Sequence, residues 1–275
     1  MSEAARAATL MPPTEAGWQR FAALMQAEVG LVLPSAGALR VAARLAPRLR
    51  RLGLEGFDAY VELLDTQRDA AELPLLLDLL TAPEAGFFRE PGQFELLESE
   101  LGSRRPGRLR LWSAATAFGD EAYSLAMLLA DLQQAGRIGA DWTVVGTDVS
   151  ERRLRSAAEG LYPESRLRQL TPERLRRHGL AAGATGLAQM PAALREHLRF
   201  ERHDLRQPLA AGEVFDAVML RQLLIYFDAA VRREVVAHVL ATLRPGGLFF
   251  VGAAEQGLVG DAALEPLGAG AFRKS

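Results

Sequence analysis

Arg108-Leu109-Arg110-Leu111-Trp112-Ser113 runs into Ala114-Ala115-Thr116-Ala117-Phe118-Gly119-Asp120-Glu121, and this stretch decides the fold. The first six residues read as a short strand. The small residues behind them let a backbone approach a ligand closely. Gly119–Leu132 then reads as a helix, with Ala122, Leu125, Leu128 and Leu129 along one side. The same succession returns downstream. Trp142–Thr147 is a strand followed by a helix that Ser150 caps. Phe215–Leu220 is a strand followed, after a polar turn, by an amphipathic helix over Asp228–Leu243. Arg244-Pro245-Gly246-Gly247 stops that helix, and Leu248–Gly252 supplies a fourth strand. Short buried strands alternating with helices specify a doubly wound α/β domain whose sheet is mainly parallel.

Upstream the texture differs. Trp18, Phe21, Leu24 and Met25 recur at helical spacing, as do Val41, Leu45, Leu49 and Leu52, then Phe57, Tyr60, Leu63 and Leu64, then Leu75–Leu80. No strand pattern interrupts them. Residues 14–80 are therefore expected to form an all-α domain of about four helices. Met1–Pro13 reads as a frayed terminus, 81–106 as a linker, and 107–275 as the α/β domain. Within the latter, about 160–205 reads as an insertion. It holds a helix begun by Thr171 and Pro172, a turn at Ala181–Gly186, and two short strands near Leu187–Met190 and His197–Glu201. Those two strands are expected to make a hairpin of their own.

Composition narrows the chemistry. With 275 residues, 49% hydrophobic and 24% charged, the chain can bury a core, and global disorder is excluded. Thirty-two basic and 34 acidic residues give a net charge of −2, which argues against a global polycation for nucleic acid. There is no cysteine, so there is no disulfide, thiolate metal site or thiol nucleophile. The four histidines have no ligand spacing, so no metal is expected. No apolar run spans a bilayer and the N-terminus shows no signal-peptide pattern, so the expected compartment is the cytoplasm. Only one of the 32 basic residues, Lys274, is lysine.

In open parallel sheets the ligand sits at the carboxyl ends of the strands. After the first strand comes the loop with Gly119, leading into a helix N-terminus. It is neither a dinucleotide fingerprint nor a phosphate loop. After the second comes Asp148, which reads as a ribose acceptor or as a helix cap. Asp204 follows Phe200, where a carboxylate meets an adenine amino group or simply makes a turn. After the third parallel strand comes Arg221-Gln222-Leu223-Leu224-Ile225-Tyr226-Phe227-Asp228, with Tyr226 either beside the ligand crevice or in the core. These spacings suit a nucleoside-containing cofactor. S-adenosylmethionine needs only an adenine pocket, a ribose acceptor and a carboxylate site.

Several blocks, in order, give the chain a resemblance to the chemotaxis receptor (CheR-type) methyltransferases over nearly its whole length. They are Arg44-Leu45 with Arg48-Leu49-Arg50 and Leu52-Gly53-Leu54; Phe87-Phe88-Arg89-Glu90-Pro91; Trp112-Ser113-Ala114 with Gly119-Asp120-Glu121-Ala122-Tyr123-Ser124; Thr147-Asp148; Gly160-Leu161-Tyr162; Arg221–Asp228; and Leu243–Leu248. The resemblance implies a class I methyltransferase domain with a small β insertion behind a helical N-terminal domain. It implies S-adenosylmethionine as methyl donor, S-adenosylhomocysteine as product, and glutamates on cytoplasmic chemoreceptor helices as acceptors. It carries cofactor contacts over to Arg89, Glu121, Asp148, Asp204, Leu205, Gln222 and Leu223, in the company of Gly119. It carries catalytic roles over to Arg89 and Tyr226.

The departures lie in the pocket. The family's Asn-x-Thr before the FFR segment falls at Pro83 and Ala85, a small polar loop residue is Phe118, its R-N-V-L is Arg221-Gln222-Leu223-Leu224, and its G-H-S-E is Gly252-Ala253-Ala254-Glu255. Three readings follow: an active receptor glutamate methyltransferase, a catalytically weakened cofactor-sensing or receptor-binding module, and a methyltransferase for a small carboxylate. In the first, Arg89 steers the acceptor carboxylate with its guanidinium fork and Tyr226 hydrogen-bonds one oxygen. Arg40, Arg44, Arg48 and Arg51 fall on one side of a helix if Pro47 leaves it continuous. That stripe is expected to dock on acidic receptor helices, with the protein acting as a monomer that neither binds nucleic acid nor enters a membrane.

Overall fold

The computed structural model describes residues 10–67, 72–80, 86–103, 107–210 and 212–275. Pro83 and Ala85, and most of the expected frayed terminus, lie outside them. Two compact units result: residues 1–82 together with Tyr226–Asp228, and residues 83–225 together with 229–275.

The first unit is helical. It contains α1 (Glu15–Val29), α2 (Ala38–Leu52), α3 (Phe57–Gln67) and α4 (Glu72–Leu80). Thr14 caps α1 by accepting from Gly17 N–H, and its hydroxyl reaches Asp58 at 2.5 Å. A Cβ on Gly17 would lie 2.0 Å from Asp58 Oδ1, so a larger residue there would displace the carboxylate that receives the Thr14 hydroxyl. Trp18, Phe21 and Phe57 form a ring cluster with centroids 5.0–6.0 Å apart. Leu45, Leu49, Tyr60, Val61 and Leu76 complete the buried core. The stretch around Met11 is tied down: Met11 N–H donates to Glu55 O at 3.1 Å and its carbonyl accepts from Phe57 N–H at 3.2 Å. Tyr226–Asp228 belongs here through Val32 N–H donating to Tyr226 O at 2.7 Å.

Pro47 does not split α2, which runs continuously through it. The arginine stripe is not uniformly free for docking. Arg48 forms a two-pronged ion pair with the buried Glu72, and Arg44 Nη1 donates to Leu80 O at 2.8 Å. Arg40 and Arg51 are exposed.

The second unit is a doubly wound α/β fold. Its elements are α5 (Pro91–Ser103), β1 (Leu109–Ala114), α6 (Asp120–Gln134), β2 (Trp142–Asp148), α7 (Glu151–Glu159), β3 (Leu161–Pro163), α8 (Glu164–Leu167), α9 (Pro172–Arg177), β4 (Leu187–Gln189), α10 (Ala192–Arg195), β5 (Leu198–Arg202), β6 (Phe215–Leu220), α11 (Ala229–Thr242), β7 (Leu243–Phe250), β8 (Leu264–Gly268) and β9 (Ala271–Lys274). The main sheet has the order β5-β2-β1-β6-β7-β9-β8. The five strands from β5 to β7 are mutually parallel, and β9 runs antiparallel to both β7 and β8. Strand order reverses between β1 and β6, which opens the ligand crevice there.

Alternation puts Leu109, Leu111, Val144, Ala217, Met219, Leu248 and Phe250 in one buried cluster with α5 and α6. Trp112, Val145, Val218, Leu220 and Phe249, on the opposite parity, are buried too, so both faces are covered.

The expected insertion hairpin does not form as expected. β4 pairs antiparallel with β3, whereas β5 joins the main sheet in parallel register with β2. The reason is burial in one shared cluster. Pairing with β2 lays Leu198 and Phe200 of β5 against the core, and pairing with β3 puts Ala188 of β4 opposite Tyr162 within that same core, where the Tyr162 ring meets Phe87 edge-on at 5.0 Å.

Candidate functional site

Three turns at the carboxyl ends of β1, β2 and β6, together with the Phe87–Glu90 turn, converge at the crevice. The β1 turn is held by Thr116 N–H donating to Thr147 O at 2.8 Å and by Ala117 N–H donating to Asp148 Oδ2 at 3.0 Å. Gly119, with φ 87°, starts α6. A Cβ there would lie 2.9 Å from Ala157 Cβ and 3.0 Å from the Tyr162 hydroxyl. Strain and clash add, so Gly119→Ala is expected to lower stability by about 2–3 kcal/mol, read by chemical denaturation. A variant as stable as wild type would show that this turn tolerates the side chain.

Arg221 ends β6 and is only 5% exposed in its side chain. Its Nε donates to Glu121 Oε2 at 2.6 Å, and its Nη1 to Arg89 O at 2.6 Å and Gln93 Oε1 at 3.3 Å. Glu121 Oε1 accepts from Ser113 Oγ at 2.6 Å. Gln222, at φ 60°, donates its side-chain amide to Glu90 Oε1 at 3.1 Å and its N–H to Glu255 Oε2 at 2.6 Å. Glu255 is fully buried and also accepts from Gly252 N–H at 2.9 Å and Ile225 N–H at 3.2 Å, joining the turns after β6 and β7. Of six non-glycine residues with positive φ among those described, five (Phe88, Glu90, Ala115, Ala117 and Gln222) lie in these turns. Each costs of order 1 kcal/mol or more, and such conformations concentrate at functional sites.

The structure thus brings Arg89, Gly119, Glu121, Gln222 and Leu223 to the turns flanking the switch point. Asp148 is 5% exposed and clips the β1 turn, while Ser150, not Asp148, caps α7. His203 N–H donates to Asp148 O at 3.1 Å, which sets Asp204 and Leu205 beside it at the next strand end. Burial opposes the charge of Asp204, but hydrogen bonds from the Arg206 side chain and backbone prevail and hold its carboxyl below the usual range. His203 is pushed down by burial. Phe118 has the guanidinium groups of Arg152, Arg153 and Arg166 within 5.7 Å of its ring centroid. Tyr226 belongs to the helical unit, as do Arg40, Arg44, Arg48 and Arg51.

Sequence reasoning assigned no role to Arg221, Glu90, Ser113 or Glu255. A signal for Arg221 existed: a guanidinium directly after six buried residues demands a buried partner.

Profiles of two families match the chain: "CheR methyltransferase, SAM binding domain" over residues 83–264, and "CheR methyltransferase, all-alpha domain" over residues 16–81. The chain belongs to the CheR methyltransferase family. It is 34% identical to the Chemotaxis protein methyltransferase of Escherichia coli K12 over 246 residues, 88% of this chain and 85% of that one. It is 34% identical to Chemotaxis protein methyltransferase 1 of Pseudomonas aeruginosa, covering 89% and 92%. A third relative, the Probable biofilm formation methyltransferase WspC of the same organism, is 33% identical over 90% of this chain and 59% of that one. This CheR-family protein is an S-adenosylmethionine-dependent methyltransferase. No helix among its described residues is long and apolar enough to cross a membrane.

The residues present fit that cofactor. The β1 turn is built from small residues and a left-handed glycine, and Asp148 stands at the end of β2. A buried carboxylate oxygen, Glu90 Oε2, also has no hydrogen-bond donor among the described residues, where a cationic ligand group would supply one.

Proposed function

We propose that this protein is a protein-glutamate O-methyltransferase acting in the cytoplasm on glutamates of chemoreceptor helices, as a monomer with no nucleic-acid partner. The observation that carries the reading is the locked Phe87–Glu90 turn: Arg221 grips the carbonyl of Arg89 from the end of β6. The cofactor supplies an electrophilic methyl group. A glutamate acceptor is already ionised at pH 7, so no strong general base is needed. Arg89 orients the acceptor carboxylate through its fork, Tyr226 hydrogen-bonds one oxygen, and the crevice excludes water. Alignment of this kind supplies about 7–11 kcal/mol of a barrier. Glu121, Gln222 and Leu223 form the cofactor wall beside Gly119, Asp148 takes the ribose hydroxyls, and Asp204 with Leu205 takes the adenine. The docking stripe narrows to Arg40 and Arg51, with Arg44 partly engaged and Arg48 committed to Glu72.

The weakened-module reading rested on pocket substitutions. The Gln222 side chain nonetheless engages Glu90, which favours an intact wall. The test is tritium transfer from labelled S-adenosylmethionine to receptor-containing membranes. Arg89→Ala is expected to reduce transfer by about two orders of magnitude. Charge reversal at Arg40 and Arg51 is expected to raise KM for receptor several-fold with cofactor affinity unchanged. Unaltered transfer by Arg89→Ala would refute its role. Failure of the wild type to bind cofactor would leave the module reading, and transfer to isolated acids alone would favour a small acceptor.

A further inference from the structure

Two carboxylates, Glu90 and Glu121, flank Arg221 and a third, Glu255, braces the backbone of Gln222 next to it, and their oxygens are not equally provided for. Both oxygens of Glu121 have donors, Ser113 Oγ at 2.6 Å and Arg221 Nε at 2.6 Å. Glu255 takes the three backbone N–H groups of Gln222, Ile225 and Gly252. Glu90 Oε1 accepts from the Gln222 amide at 3.1 Å and from Ala253 N–H at 3.4 Å. Glu90 Oε2 is different: it is buried and has no hydrogen-bond donor among the described residues. Arg221 Nη1 lies 3.8 Å away, and that nitrogen already serves Arg89 O and Gln93 Oε1.

We propose that Glu90 binds the α-ammonium group of the methionyl part of the cofactor. An ammonium brings three donors, and a donor is what Glu90 Oε2 lacks among the described residues; the nearby Arg221 charge stands 3.8 Å off with its nitrogen already engaged. A buried carboxylate oxygen left without a donor is costly, so the site is built to be completed by a ligand. The backbone supports the same conclusion: Glu90 is held at φ 57°, a strained conformation that aims its side chain at the β6 turn.

This assignment rests on the cofactor-site reading above, and calorimetry on the full chain separates the two. The probes are S-adenosylhomocysteine, which carries the ammonium, and 5′-methylthioadenosine, which lacks the amino-acid part. Glu90→Gln keeps an oxygen for Gln222 and Ala253, puts an amide NH2 in place of the other oxygen, and removes the charge. It is expected to weaken S-adenosylhomocysteine about ten- to a hundredfold while leaving methylthioadenosine unchanged. If Glu90→Gln melts early, Glu90→Asp, which retains the charge but withdraws it, is expected to show the same selective loss. Equal weakening of both ligands would overturn the proposal, because Glu90 would then only shape the turn. Unchanged affinity for both would overturn it as well. A wild type that binds neither nucleoside would overturn the cofactor-site reading and this assignment with it.

Discussion

Replacing Arg221 with methionine is expected to weaken cofactor binding by two to three orders of magnitude. The guanidinium is almost fully buried and is the shared partner of Glu121, the Arg89 carbonyl and the Gln93 amide. Methionine fills similar volume beside Phe94, whose ring lies 5.4 Å from the guanidinium carbon, but donates nothing. Glu121, 16% exposed in its side chain, is then left with the Ser113 hydroxyl alone. Removing one member of a buried pair costs about 3–5 kcal/mol, and every 1.4 kcal/mol is tenfold in affinity. Arg221→Lys is not expected to rescue, because one ammonium cannot span Glu121 and the Arg89 carbonyl together. Adding Glu121→Gln to Arg221→Met removes the stranded charge, so thermal stability is expected to recover while affinity does not. Calorimetry with S-adenosylhomocysteine, beside thermal melts, separates the two quantities. Affinity within fivefold of wild type in Arg221→Met would show that the turns hold without their central cation.

Glu72→Gln is expected to destabilise the helical unit by about 3 kcal/mol. Glu72 is 3% exposed; it receives two donors from Arg48 and the Tyr60 hydroxyl at 2.6 Å. Hydrogen bonding from Arg48 outweighs the opposing pull of burial and holds its carboxyl below the ordinary 4.5. The folded state therefore takes up this proton less readily than the unfolded chain. The stabilisation is complete above the ordinary carboxylate range and is lost as pH falls through the lowered value. The glutamine variant should lack that acid-sensitive component. Amide hydrogen exchange over α2, α3 and α4 reads this unit by itself. Protection equal to wild type at neutral pH would mean that the ion pair contributes nothing.

The strands β1, β2, β6 and β7 were legible because each is a short buried run ending at small or polar residues, and burial is what the apolar pattern records. Pairing was not. β4 is three residues and β5 five, too short for either to show its partner locally, and each takes the partner that lets it contribute to the shared buried cluster around Tyr162 and Phe200. The β8 and β9 strands escaped notice because Pro266, Gly268 and Gly270 read as turn residues. In α2 the spacing of Arg44 and Arg48 was read correctly as one side of a helix. Nothing local said that Glu72 and Leu80 would claim those guanidinium groups. At the site, the motif blocks located Arg89, Glu121 and Gln222. Their ties run across 100 residues or more, from Arg221 to Glu121 and from Gln222 to Glu90, so no window of sequence contains them.

The position of β9 has a consequence for biosynthesis. Among the described strands, β8 is joined to the main sheet only through β9, which pairs with β7 on its other side. Residues 264–268 therefore leave the ribosome before the strand that will hold them exists. Until residue 274 has emerged, the nascent chain carries β7 as an open edge, the kind that invites pairing with other chains. Completion comes with Lys274, whose Nζ donates to the carbonyls of Leu240 and Leu243 at 2.7 Å and closes the end of α11. Maturation of the sheet thus waits on β9, and protection of the β7 edge matters most until that strand has emerged.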